Sequence, residues 1–169
     1  MKKQMLLSLA VAFVTAMAIL CGIVLCDSIK DTTITAEVSP YISITPPDMS
    51  AAWSINPSIL NTITKDLIVN ANADWKVGAK APNGANMKAV GPSGTNYTLA
   101  NNIQISTTNV TPFKPSTTTN NYFLRKTVHK ANQHFPITFQ QQGSFDDIIE
   151  ENGTSLDYST VVTFTGMLE

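Results

Sequence analysis

The chain carries few residues able to do chemistry, and their spacing decides most of what can be said about it. Its 2 histidines, His129 and His134, stand five positions apart in a segment without cysteine or carboxylate to complete a metal set. They read as members of a surface turn. Asp146, Asp147, Glu150 and Glu151 form the densest group of charge, but they lack the alternating acidic spacing of a calcium loop. On a short helix their spacing would place all of them on one solvated face. Gly91-Pro92-Ser93-Gly94 puts a serine between glycines without the Gly-X-Ser-X-Gly pattern of a nucleophile elbow, and reads as a turn. The expectation is therefore a protein that is not an enzyme, with no catalytic residues, no metal ligands and no cofactor. Trp53 and Trp75 are the remaining candidates, because a flat aromatic face on a β-protein can stack on a sugar ring. Trp75 is in register with Val77, Ala79 and Ala81 and is expected in the core. Trp53, in a proline-flanked connector, is the candidate ligand contact.

The elements that would position these residues are strands. Thr32 to Pro46 alternates almost without error, with Ile34, Ala36, Val38, Ile42 and Ile44 on one side and mainly Thr, Ser and Glu on the other. A strand at the start of a domain can be lent to a neighbour. These five residues are thus the candidate assembly strand, and Pro40 among them predicts a sheet edge or a bend.

Strand patterns follow at Thr62 to Ala71, Trp75 to Ala81, Met87 to Val90, Tyr97 to Ser106, Tyr122 to Val128, Phe135 to Phe139 and Leu156 to Leu168. Pro82-Asn83-Gly84 and Gly91 to Gly94 supply turns, and Asn101-Asn102 a bulge. Thr107 to Asn121 has no apolar period and is expected as the longest loop. Ser144 to Glu151 carries the single helix signal, a capping Ser144 followed by Asp146 and Asp147 in the first turn and stopped by Asn152-Gly153. Together these predict an all-β antiparallel sandwich of about seven to nine strands with one short helix. A closed barrel is the alternative.

The first residues of the 169 read differently. Met1-Lys2-Lys3 is a basic start, and Leu6 to Cys26 is an apolar run long enough for an export signal or for an uncleaved membrane anchor. Leu20 and Leu25 precede Cys21 and Cys26, where a lipoprotein signal wants a small residue. Cleavage before Asp27 would leave residues 27–169 as a single domain without a cysteine, stabilised by its core, its sheets or assembly. Two of the 11 Lys and Arg residues lie in the leader, so 9 face 12 acidic residues in the remainder. That weak balance gives no reason to expect nucleic acid. The remainder is rich in Thr and Asn, which suit strands and turns of extracellular β-proteins. Asn96, Asn109 and Asn152 open Asn-X-Ser/Thr sequons and are candidate N-glycosylation sites.

Leu67 to Val77, with its Asn72-Ala73-Asp74-Trp75 corner, followed by Met87 and by Leu99 to Ile105, resembles small secreted β-sandwich proteins of prokaryotic cell surfaces. This group includes WxL-type surface domains, spore-coat-U-like pilins and archaeal surface-filament subunits. The resemblance implies a secreted or cell-surface location and a structural or adhesive role. The leading expectation is a pilus-like subunit assembling by strand exchange through residues 32–46, with its own copies or other surface proteins as partners and membrane contact only through the N-terminal segment. The other is a monomeric carbohydrate-binding module that takes glycans through Trp53 and the Thr107 to Asn121 loop.

Overall fold

The computed structural model describes residues 33–169. Residues 38–169 form one compact unit, and of the unit before it only residues 33–37 are described. The expected leader at 1–26 lies outside the described residues. Among the described residues the fold is all-β, with antiparallel strand pairing and no helix.

The strands in chain order are β1 (Ile42–Thr45), β2 (Leu60–Ala71), β3 (Trp75–Lys80), β4 (Asn86–Val90), β5 (Asn96–Asn102) and β6 (Gln104–Thr107). They continue as β7 (Val110–Phe113), β8 (Asn121–Lys126), β9 (Lys130–Gln142), β10 (Glu150–Glu151), β11 (Thr154–Ser155) and β12 (Thr163–Leu168). One five-stranded sheet has the order β1-β2-β9-β6-β7, and a three-stranded sheet the order β12-β3-β8. The hairpins β4-β5 and β10-β11 stand apart from both.

The core lies between the two larger sheets. Along β2, Leu67, Val69 and Ala71 alternate inward, matched by Val77 and Ala79 of β3, Ile105 of β6, and Ile137 and Phe139 of β9. Each large aliphatic side chain removed from water in this way contributes about 1.5–3 kcal/mol. Aromatic edges bridge the sheets, Trp75 to Phe135 at 5.4 Å, Phe139 to Phe164 at 6.4 Å and Phe113 to Phe123 at 5.6 Å between ring centroids. β9 tolerates Pro136 because its last ladder partner on β6 is Thr107 opposite Ile137, so the proline falls just past that neighbour.

Several expectations are corrected. The strand predicted over Thr32 to Pro46 is paired, among the described residues, only from Ile42 to Thr45. Its partner β2 ends at Ala71, opposite Ile42, and the bend after it offers no further ladder. Tyr97 to Ser106 is two strands, because the chain leaves the β4-β5 hairpin at Asn102 and joins the five-stranded sheet at Gln104. The predicted loop after Thr107 contains β7, a hairpin partner of β6 turned by Asn109 at φ 67°. These divisions, with the two-residue β10 and β11, raise the strand count among the described residues to twelve.

The helix predicted over Ser144 to Glu151 does not form. Ser144 Oγ accepts from the amide of Asp146 and Asp147 Oδ2 from the amide of Ser144, but the chain closes only a single turn. Asp147 and Glu151 are then drawn to other segments, and Glu150-Glu151 enter a strand. Local capping signals cannot sustain a helix without an apolar face to bury. Here Phe145 and Ile149 are largely exposed.

Candidate functional site

Two features of the unit meet at β1, one at each end of it. At its start, Asn72 clamps the incoming backbone. Its side-chain amide donates to the Ser39 carbonyl at 3.0 Å and its Oδ1 accepts from the Tyr41 amide at 2.6 Å. Its own amide donates to the Tyr41 carbonyl at 3.2 Å. Upstream of this clamp no strand pairing occurs among the described residues, Ile34 is 88% exposed and Val38 82%, and Ala36 is also exposed. Ile42 and Ile44, by contrast, are half-buried against the core. They pass so close to β12 that a Cβ on Gly166 would stand 2.9 Å from Ile42 Cδ1. The five residues expected to act as one strand thus fall into two groups, three exposed and two in place on the sheet edge.

Beyond the other end of β1, from Pro46 onward, a cleft of about 850 Å³ opens. Leu99, Ile103 and Phe139 form its buried floor, and Trp53, Val162 and Phe164 line its sides. Trp53 is half-buried and packed on the core, so it forms a wall and not an open platform. Asp157 is the one charged residue of the lining. Two of the segments that contribute to the lining, Ala52 to Ile55 and Thr160 to Val162, have no strand pairing.

The acidic group supports a wall of this cleft. Asp147 Oδ1 accepts from the Ala100 amide at 2.8 Å, and Glu151 accepts from the Ser93 amide at 3.1 Å, from Ser93 Oγ and from Tyr97 Oη at 3.0 Å. Gly91 leaves the room this requires, since a Cβ there would fall on the Glu151 carboxylate. Tyr158 Oη donates to the Ile148 carbonyl at 2.6 Å and closes the same loop. Asp146 and Glu150 stay exposed.

The Ser93 donors hold the Glu151 carboxyl below its ordinary value, with Tyr97 adding to them. Burial, then the hydrogen bond to Glu151 and after it the charge of that carboxylate, push the Tyr97 phenol up. A carboxyl lowered in the folded state stabilises above the ordinary carboxylate range, and that contribution is lost as pH falls through the lowered value. Glu151→Gln is therefore expected to lower stability at neutral pH and to flatten its decline on acidification. Denaturant unfolding repeated across the acid range checks this. Parallel curves for the variant and the parent protein would contradict it.

The histidines do not share the expected turn. His129 lies between β8 and β9 with Nε2 2.9 Å from Asp74 Oδ1, and His134 lies on β9 with Nδ1 3.0 Å from Asp66 Oδ2. Asp66 is on β2 and Asp74 in the bend after it, so inspection of the histidine segment alone misses both partners. No group of three or more potential metal ligands occurs among the described residues. Asn96, Asn109 and Asn152 are all exposed. Asn109 and Asn152 occupy left-handed turn positions at φ 67° and 51°, which asparagine tolerates.

What sequence reasoning missed is the cleft. Its lining comes from segments distant in sequence, and the alternation that several of them carry does not show that they surround an open space. No protein-family model and no curated protein matches this chain.

Proposed function

We propose that this chain is an exported cell-surface structural subunit, a β-sandwich that assembles with copies of itself through the segment before β1. The observation that carries this reading is the stretch from Ile34 to Pro40. It is apolar at alternate positions, lacks strand pairing, and holds Ile34 and Val38 almost fully in water. Such a stretch is suited to adding itself to another sheet, where backbone pairing supplies affinity and alternate side chains set the register. The apolar run at residues 6–26 supports export or anchoring, and the Thr- and Asn-rich surface suits an extracellular setting. Asn96, Asn109 and Asn152 would serve as glycan acceptors in a host that modifies its surface proteins.

The reading as a monomeric carbohydrate-binding module draws less support, because Trp53 packs on the core instead of presenting an open face. Negative-stain electron microscopy of the purified full chain tests the proposal. Linear oligomers or filaments are expected, and a field of single particles at every concentration would contradict it.

A further inference from the structure

We propose that the cleft beyond Pro46 is the acceptor for residues 34–40 of a second copy, so that subunits join head to tail. This inference rests on the assembly reading above and names the surface that reading leaves unspecified.

The cleft has the chemistry of a strand acceptor. Its floor and sides are apolar, with Asp157 the one charge among them. Its volume of about 850 Å³ takes several side chains. Of the segments that contribute to its lining, Ala52 to Ile55 and Thr160 to Val162 have no sheet partner of their own. An incoming strand could pair with either while its alternate side chains descend into the cleft. The rim is also apolar and exposed, with Ile149 76% and Val161 53% accessible, which a subunit without a partner there has no reason to maintain.

The donor has matching chemistry. Ile34, Ala36 and Val38 lie on one side of the extended segment, and Glu37, the one charge between Thr33 and Tyr41, lies on the other. Inserted with the apolar side down, the segment would bury no charge.

The direction of the chain identifies the occupant as a second copy. The donor leaves the unit at the Asn72 clamp, before β1, while the cleft begins at Pro46, after it. Four extended residues, about 13 Å, separate these points and are fixed by pairing with β2. From Val38 to Pro46 the chain therefore runs from donor root to acceptor, and cannot turn Val38 back into its own cleft without breaking the clamp. Donor and acceptor at opposite ends of one strand make a heterologous contact, which extends into an open chain of subunits unless rotation closes it.

The test uses the full chain with a photoreactive benzophenone side chain at the exposed Val161, in a mixture of isotope-labelled and unlabelled copies, with cross-linked peptides located by mass spectrometry. Cross-links between copies to residues 33–41 are expected, reduced about tenfold or more in the chain that also carries Ile34→Asp and Val38→Asp. The same probe at Ile149, the other exposed apolar residue of the rim named above, is expected to reach the same residues. Cross-links between copies to any other segment would overturn the occupant while leaving assembly standing. Cross-links confined to single copies, or to a glycan or lipid, would overturn it too. Light scattering on the unirradiated sample separates the two readings: a monomer there contradicts assembly itself, whereas an oligomer without the 33–41 cross-link contradicts only the cleft.

Discussion

Trp75→Ala is expected to cost roughly 3–5 kcal/mol of folding stability, the largest effect of any single substitution considered for this protein. Trp75 opens β3, the middle strand of the three-stranded sheet, and is fully buried. Its ring meets Phe135 of β9 edge-on at 5.4 Å and an interplanar angle of 70°, so truncation would remove a contact between the two larger sheets as well as apolar area. Its indole Nε1 donates to the Val128 carbonyl at 3.4 Å, and the lost side chain would leave that acceptor with Gln133 Nε2 alone. Domains of this size have about 5–15 kcal/mol in total, so the variant should be marginal. Urea unfolding is the measurement: the midpoint should fall sharply at unchanged slope. Trp75→Phe should recover much of the loss. A midpoint within error of the parent protein would mean that the two sheets do not depend on this side chain.

The second large effect concerns assembly and should leave folding untouched. Ile34→Asp with Val38→Asp is expected to abolish self-association while the unfolding midpoint stays unchanged. Both side chains are over four-fifths exposed in the single subunit, so charge there costs the fold nothing. In an apolar cleft two buried carboxylates would each lack a partner, a penalty large enough to remove most of the affinity. The substitution thereby separates the part of the segment that would be lent from the part that is built in. Ile42 and Ile44 already belong to the sheet edge and pack near Gly166 of β12. Charge at either of those would lower stability and association together.

The places where sequence and structure agree, and where they part, have a common cause. β2, β3 and β4 are legible because each carries its alternation over its whole length and ends in chemistry that stops a strand. The turn after Ala81 closes with the Gly84 amide on the Ala81 carbonyl at 2.9 Å, and that after Gly91 with the Gly94 amide on the Gly91 carbonyl at 2.9 Å. The same alternation from Ile34 to Pro40 produces no strand, since a strand needs a partner and β2 has ended at Ala71. Alternation reports which side of an extended segment is apolar, and is silent on whether a ladder lies beside it. Ser144 to Glu151 fails for a related reason: its capping residues are real, but hydrogen bonds to Ala100, Ser93 and Tyr97 outbid the helix for Asp147 and Glu151.

The cleft lay beyond reading for a further reason. Leu99, Ile103 and Phe139 were each recognisable as inward-facing, yet an inward-facing residue can line a filled core or an open groove. Only the placement of the two unpaired segments, Ala52 to Ile55 and Thr160 to Val162, decides between them. Trp53 stands out in the sequence for its ring, and the fold gives it a different use as a wall of that groove.

Sedimentation velocity over a range of concentrations, on the full chain and on variants at neighbouring positions, tests the central claim most directly. The period of the segment predicts an alternating result. Ile34→Asp and Val38→Asp should each shift the population toward the monomer, whereas Thr33→Asp and Thr35→Asp, on the opposite side, should sediment like the parent protein. Equal effects at all of these positions, or none at any, would contradict donation of this segment as a strand.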